Sequence, residues 1–123
     1  MSNIDILFNA EEEREEKFQF KGHEIVVKVK ELGWSEKNKI LSKCFEYQTD
    51  GHISFAFDVY NREMLKKIIS SISVDGSPVP KVEIGDIFFT KLNVTFGSIL
   101  EKLVPKAFEE VQINDFFGKE SGS

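Results

Sequence analysis

The residues whose chemistry could support metal binding are few and widely spaced. His23 and His52 are the only two histidines, and each follows a glycine that is typical of a turn. Neither has a second histidine or a cysteine three or four positions away, which is the spacing that metal sites use. The sequence therefore predicts two exposed turn histidines and no metal site.

The residues that could act as nucleophiles or as acids and bases also lack partners. Cys44 is the single cysteine, and it lies on the apolar stripe of a predicted helix, where a small buried hydrophobic residue is expected. Asp58 and Asp86 stand at predicted helix starts, where capping accounts for them better than acid–base catalysis. We therefore predict no catalytic residue and a protein that is not an enzyme.

A cofactor is not expected either. The segment Gly118-Lys119-Glu120 is similar to the end of a phosphate-binding loop. That loop requires a glycine five positions before Gly118, where Ile113 stands, and Ser or Thr directly after the lysine. The sequence therefore predicts no nucleotide cofactor.

The charge is concentrated at one end of the chain. The 123 residues carry a net charge of −5, and residues 1–16 contain six acids and one base. The remainder has 15 residues of each sign, which gives no basic surface for nucleic acid. No apolar run is long enough to span a bilayer. We predict a cytoplasmic protein with an acidic flexible arm (1–16), a single α+β domain (17–110) and a flexible C-terminal tail (111–123).

The hydrophobic periodicity predicts the elements of this domain. A β-hairpin is expected at 17–30, and a helix is expected to begin with Ser35 as N-cap and to end near Tyr47. Its apolar stripe contains Phe45, which is therefore predicted to be buried. Trp34 either folds onto this helix as a hydrophobic staple or anchors a partner.

The second half of the chain is predicted to be mostly helical. A third strand is expected at 53–57, a helix at 59–72 and a loop at 74–83. Further helices are expected to begin at Asp86 and at Asn93 or Thr95. The fold class is therefore α+β: a small antiparallel sheet, made of the N-terminal hairpin plus one strand, is packed on one face by three to four helices.

Large apolar residues after Ile84 outnumber what a small core requires. Phe88 and Phe89 are adjacent, so one helix is not expected to turn both toward the core. Phe116 and Phe117 lie in a segment that otherwise reads as a polar tail. We predict that these four rings bind another protein. The alternative is that they close over the sheet of the same chain or are buried against a second copy.

Four segments carry a resemblance to a known family. They are an aromatic residue followed by a Lys-rich helix (32–44), a strand ending in Phe-Asp (53–58), an aromatic residue followed by a Leu/Ile-rich helix (60–69), and a small residue followed by a Leu-Glu helix (96–105). Their order and pattern resemble the tail assembly chaperones of long-tailed phages and related proviruses. The Pro-containing loop at 74–80 and the acidic arm depart from the family pattern.

The resemblance implies a protein that binds the tape measure protein and helps to recruit tail tube protein during assembly. It also implies action in the host cell cytoplasm and absence from the mature virion. Two alternatives stay open. A small virion structural protein, such as a tail-completion or connector protein, would remain in purified particles. An acidic regulator that binds a host protein would need acids across the folded body, which is neutral.

Overall fold

The folded part of the chain begins with a β-hairpin, as predicted. The computed structural model describes residues 4, 7, 8 and 13–108. β1 (Arg14–Phe20) pairs antiparallel with β2 (His23–Val29), and the turn residues Lys21 and Gly22 both have positive φ, as a tight hairpin turn requires. β1 begins three residues earlier than expected, inside the segment assigned to the acidic arm. The carboxylate of Glu15 on β1 lies 3.9 Å from the ammonium group of Lys28 on β2, so this acid of the arm is paired with a base of the neighbouring strand.

The remaining strands are β3 (Phe45–Tyr47), β4 (Ile53–Phe55), β5 (Ile69–Val74) and β6 (Ser77–Pro78). The helices are α1 (Trp34–Ser42), α2 (Phe57–Ile68), α3 (Asp86–Thr90), α4 (Val94–Glu101) and a 3₁₀ helix (Lys81–Glu83). The N-terminal hairpin is half of a four-stranded antiparallel sheet with the order β1-β2-β5-β6, and β3 and β4 form a second, two-stranded sheet. This architecture confirms the predicted α+β class.

The third strand of the prediction does not belong to the main sheet. β4 pairs only with β3, in the register Phe45↔Phe55 and Tyr47↔Ile53. Correspondingly, α1 ends at Ser42 and not near Tyr47, so Phe45 lies on a strand and the prediction that it lies on a helix stripe is wrong. The turn at Asp50-Gly51, where Gly51 has φ +91°, joins two short alternating segments into a hairpin.

The predicted helix at 59–72 is in fact a helix followed directly by a strand. α2 ends at Ile68, and β5 begins at Ile69 and pairs antiparallel with β2. The amide of Lys30 donates to the carbonyl of Ile68 at 2.8 Å, so the sheet pairing starts where the helix stops. The predicted loop at 74–83 contains a second tight turn at Asp75-Gly76, then β6 and the 3₁₀ helix.

The predicted N-cap residue is correct for α4 and wrong for α1. Ser35 is not the N-cap of α1, because Gly33 occupies that position without a side-chain hydrogen bond. Asn93 is the N-cap of α4, as predicted, and its Oδ1 accepts from the amides of Thr95 at 2.8 Å and Phe96 at 3.4 Å. Asp86 is the first residue of α3 but not its cap, because Gly85 is the N-cap and no side chain caps this helix. The Asp86 carboxylate accepts from Lys66 Nζ at 2.9 Å.

The buried residues form two clusters. The larger one lies between one face of the four-stranded sheet and the helices, and its fully buried members are Ile25, Val27, Val29, Leu65, Ile68, Ile69, Ile72, Phe96 and Leu100. The smaller one lies between α1 and α2, and its members are Ile40, Cys44, Tyr60 and Met64. Leu32 and Val104 pack against both clusters. α2 therefore contributes to both clusters, with Tyr60 and Met64 in the smaller one and Leu65 and Ile68 in the larger one.

Candidate protein-interaction surface

The β3–β4 hairpin presents apolar side chains on one of its faces. Residues paired across antiparallel strands point the same way, as do residues two apart along a strand. The register therefore places Phe45, Tyr47, Ile53 and Phe55 together. Tyr47 is 79% exposed and Ile53 is 59% exposed, whereas Phe55 is half-buried. The opposite face of the hairpin carries the polar residues Glu46 and Ser54.

Two more rings extend this surface beyond the hairpin. Phe57 opens α2, and its ring centroid lies 4.8 Å from that of Phe55. The ring centroid of Phe108 lies 4.8 Å from that of Phe55 and 6.0 Å from that of Phe45. Phe57 and Phe108 are 58% and 59% exposed. We call these six residues the aromatic face: Phe45, Tyr47, Ile53, Phe55, Phe57 and Phe108.

The aromatic face continues into a groove between α2 and residues 98–108. The groove has a volume of about 580 Å³, and its apolar lining includes Phe57, Tyr60 and Phe108. The Tyr60 hydroxyl donates to the carbonyl oxygen of Pro105 at 2.7 Å, which fixes the segment that forms one wall. A second depression of about 400 Å³ adjoins the first and reaches Phe89. We call the two depressions together the α2 groove.

The electrostatics of the groove are set by a few groups on its rim. Asn61 Nδ2 donates to Glu101 Oε1 at 2.7 Å, which links α2 to α4. Lys102 and Lys106 line the groove and are exposed. Neither forms an ion pair with any residue that the structure describes. The groove therefore combines an apolar lining with charges of both signs: the ammonium groups of Lys102 and Lys106 and the carboxylates of Asp58 and Glu101.

Two of the four rings predicted to bind a partner pack against this domain's own core. Phe88 and Phe89 are half-buried, contact the larger cluster and meet edge to face at 5.2 Å. The expectation that one of them must face away from the core is wrong. α3 has only five residues, and Ile84 before it and Leu92 after it also pack against the larger cluster. Phe116 and Phe117 lie outside the described residues, so their role stays a prediction.

Trp34 and Cys44 have opposite surroundings. Trp34 is 82% exposed, so the predicted hydrophobic staple is wrong. Cys44 is 1% exposed, as predicted, and its thiol donates to the carbonyl of Ile40 at 3.2 Å. Burial raises the pKa of the Cys44 thiol, and the carboxylates of Glu63 and Asp58 raise it further. This thiol is a packing element and not an activated nucleophile.

Both histidines are exposed, as predicted. His23 Nδ1 lies 2.6 Å from Asp75 Oδ2, and His52 Nδ1 lies 2.8 Å from Asp50 Oδ2. The first contact links the β1–β2 turn to the β5–β6 turn, and the second lies within the β3–β4 turn. Within the described part of the chain, no group of three or more His, Cys, Asp or Glu residues is placed to hold a metal ion.

The aromatic face was missed by sequence reasoning, although the sequence contained a signal for it. Phe45 and Tyr47 alternate before the Asp50-Gly51 turn, and Ile53 and Phe55 alternate after it. Two short alternating runs around a glycine turn are typical of a hairpin with one apolar face. The helical spacing of apolar residues in α1 continues as far as Phe45. The same residues therefore also fit a longer helix, and for this reason the hairpin was not predicted.

Comparison with known proteins yields no family model, curated protein or solved structure that matches this chain. Among the described residues, no helix is both long enough and apolar enough to cross a membrane.

Proposed function

We propose that this protein is a tail assembly chaperone of a long-tailed phage or related provirus. It binds the tape measure protein in the host cell cytoplasm, helps to recruit tail tube protein, catalyses no reaction and is absent from the mature virion. The observation that carries the proposal is the aromatic face, where five of six large apolar side chains are between 38% and 79% exposed. The order of the sequence segments between residues 24 and 105 supports it.

The extent of this surface favours a binding role. A fully exposed aromatic side chain presents roughly 150–250 Å², so the exposed fractions of the aromatic face amount to on the order of 500 Å² of contiguous apolar area. Patches of this size on a small domain are commonly interaction sites. The rings already contact one another, so the surface is organised before a partner arrives and little ordering entropy is lost on binding.

The physical task of such a chaperone matches a shallow apolar surface. A long helical protein with an apolar face aggregates when it is alone, and an apolar groove on a small domain covers part of that face. Assembly requires the client to be released, which demands modest affinity. A surface of on the order of 500 Å² is smaller than one side of a standard stable interface, about 800 Å², and is suited to reversible binding.

Co-expression with the tape measure protein tests the proposal. The client is expected to be soluble with the parent chaperone and insoluble alone. Replacing Tyr47 and Phe57 by Ser should return the client to the insoluble fraction, because both side chains are mostly exposed on the aromatic face. The matched control replaces Val82 and Ile87, which are 95% and 72% exposed outside the aromatic face and the α2 groove, and should keep the client soluble.

Two results would overturn the proposal. The first is a client whose solubility is the same with the parent, with the double variant and with no chaperone. The second is the presence of this protein in purified virions at a fixed stoichiometry, which would identify it as a structural component of the tail.

A further inference from the structure

β1 is an edge strand of the main sheet, and its outer side pairs with no strand that the structure describes. The hydrogen bonds of β2 show which backbone groups face that side. The carbonyl of Glu24 accepts from the amide of Asp75 at 2.8 Å, so Glu24 turns its backbone groups toward β5. Because these directions alternate along a strand, Ile25 and Val27 turn their backbone groups toward β1.

The outer side of β1 follows from this alternation. Phe18 and Glu16 stand opposite Ile25 and Val27, so the backbone groups of these two β1 residues bond to β2. The amides and carbonyls of Glu15, Lys17 and Gln19 therefore point away from the sheet. Unpaired backbone groups of this kind are a template for a further strand. We call this side of β1 the β1 edge.

Aromatic rings lie beside the β1 edge. Phe18 and Phe20 are on the helix-covered face of the sheet, where their ring centroids lie 5.8 Å and 5.4 Å from that of Phe96. Both rings are only half-buried, because β1 has no outer neighbour among the described strands. A strand added at the β1 edge covers more of their surface, which favours its binding.

The side chains of β1 discriminate between the registers in which two copies of this strand can pair antiparallel. Residues directly opposite each other share a face, so the rings of both copies stay on the covered face only if even-numbered residues stand opposite even-numbered residues. Three such registers pair most of the strand. They place Lys17, Glu16 or Phe18 of one copy opposite the same residue of the other. The first two bring like charges together, which is unfavourable.

The register with Phe18 at the twofold axis is favourable in two respects. The two Phe18 residues form a non-hydrogen-bonded pair, in which side chains approach most closely. The same register places Glu16 of one copy opposite Phe20 of the other, and the Lys21 ammonium lies 5.5 Å from the centroid of the Phe20 ring. Lys21 forms no ion pair with any described residue. An acid therefore meets a base twice, once on each side of the axis.

We propose that a second copy of this chain binds at the β1 edge, so that the main sheets of two copies join into one continuous sheet around a twofold axis at Phe18. The charge match between Glu16 and Lys21 selects a second copy over an unrelated strand. No residue of the β1 edge belongs to the aromatic face, so the dimer presents two aromatic faces. The inference goes beyond the proposed function and does not depend on it.

Analytical ultracentrifugation of the full chain over a concentration series tests the dimer. The measured mass should rise from one chain toward two between about 1 μM and about 1 mM. Lys17→Pro removes one outward N–H from each copy and leaves the hydrogen bonds to β2 in place, so the Kd of the dimer should rise about 10- to 100-fold. The control, Lys17→Ala, keeps the N–H and should dimerise like the parent.

Two charge variants test the register without changing the backbone. Lys21→Glu and Glu16→Lys should each weaken self-association, because each places like charges together on both sides of the axis. An equimolar mixture of the two variants should dimerise like the parent, because the mixed dimer has an acid opposite a base at both contacts. An unrelated binding partner or a different register gives no such recovery on mixing.

Several results would overturn the inference. One is a parent chain that stays monomeric at about 1 mM, and another is a mixture of the two charge variants that stays monomeric. If Lys17→Pro dimerises as tightly as Lys17→Ala, or if replacing Tyr47 and Phe57 by Ser abolishes the dimer, the copies meet through another surface and the inference is wrong. The solubility of the tape measure protein is a separate measurement, so the proposed function stands or falls independently.

Discussion

Tyr60 is the residue at which the smaller cluster meets the groove. Its side chain is 1% exposed, its ring lies 5.8 Å from that of Phe55, and its hydroxyl donates to Pro105. Burial raises the pKa of the Tyr60 phenol, with a smaller contribution from Cys44. The phenol therefore stays protonated and remains a hydrogen-bond donor throughout the neutral pH range.

Replacing Tyr60 by Phe should destabilise the domain by about 0.5–1.5 kcal/mol, because one intramolecular hydrogen bond is lost while the ring is kept. Urea unfolding followed by circular dichroism measures this change. Tyr47→Phe is the matched control, since the Tyr47 ring is 79% exposed, and it should change the free energy of unfolding by less than about 0.5 kcal/mol. Equal effects of the two substitutions would contradict the assigned role of the Tyr60 hydroxyl.

Asp75 gives the domain a defined response to acid. The hydrogen bond from His23 lowers the pKa of the Asp75 carboxyl, and the backbone N–H of Glu24 adds to this effect. A carboxyl whose pKa is lowered by folding stabilises the folded chain above its unfolded pKa of about 3.9. That stabilisation is lost as the pH falls through the lower, folded value.

When the pH is lowered from about 5 to about 3, the melting temperature of the Asp75→Asn variant should therefore fall by less than that of the parent. Asn tolerates the positive φ of this position, 49°, so the turn is retained. Thermal unfolding at several pH values measures the difference. Parallel melting-temperature curves for parent and variant over this range would show that Asp75 does not contribute to the acid response.

At the scale of elements, α4 and β3 contribute differently to stability. Leu100 on α4 is 0% exposed in the larger cluster, whereas Phe45 on β3 is 38% exposed. Leu100→Ala should cost about 2–5 kcal/mol. Phe45→Ala should cost clearly less than the 3–5 kcal/mol of a buried phenylalanine, because part of its ring area already faces water.

Chemical denaturation of both variants checks this order. If Phe45→Ala is as destabilising as Leu100→Ala, the ring of Phe45 acts as core and the aromatic face is smaller than described. If Phe45→Ala is the milder variant and also weakens client binding, the hairpin is an interaction element mounted on a separately stabilised domain.

The elements that were predicted correctly are those with a single consistent pattern. The N-terminal hairpin has alternation on both strands and a glycine turn, and α4 has a capping Asn93 before its apolar stripe. The boundary between α2 and β5 was missed because the apolar positions Leu65, Ile68, Ile69 and Ile72 fit a helical stripe as well as a strand. The β-branched, Ser-rich run 68–74 favours a strand, and pairing with β2 decides the outcome.

The candidate site was less predictable than the fold. The sequence shows that phenylalanine is abundant, with 12 in the chain, but it does not show which rings face water. Phe88 and Phe89, which were expected outside, pack on the core. Phe45, which was expected inside, joins the aromatic face. Both outcomes depend on contacts between elements distant in the sequence, such as Phe55 with Phe108 at 4.8 Å.

At the scale of the whole molecule, the acidic arm is expected to be dispensable for folding. Leu7 and Phe8 are 74% and 64% exposed, and β1 begins at Arg14. Deleting residues 1–12 should change the free energy of unfolding by less than about 0.5 kcal/mol. Deleting residues 1–17 is the comparison, because it removes half of β1 and should destabilise the sheet. A loss of more than about 1 kcal/mol from the shorter deletion would make the arm part of the fold.

The division of the core into two clusters has a consequence for local opening. The aromatic face rests on the smaller cluster, with four fully buried residues, while the central strands belong to the larger cluster, with nine. Segments with fewer buried contacts open at lower free-energy cost. Backbone amides of β3 and β4 should therefore exchange with deuterium sooner than those of β2 and β5, as mass spectrometry or NMR would show. Uniform protection would mean that the two clusters unfold as one unit. With distinct protection, a bound client would slow exchange first in the hairpin that contacts it.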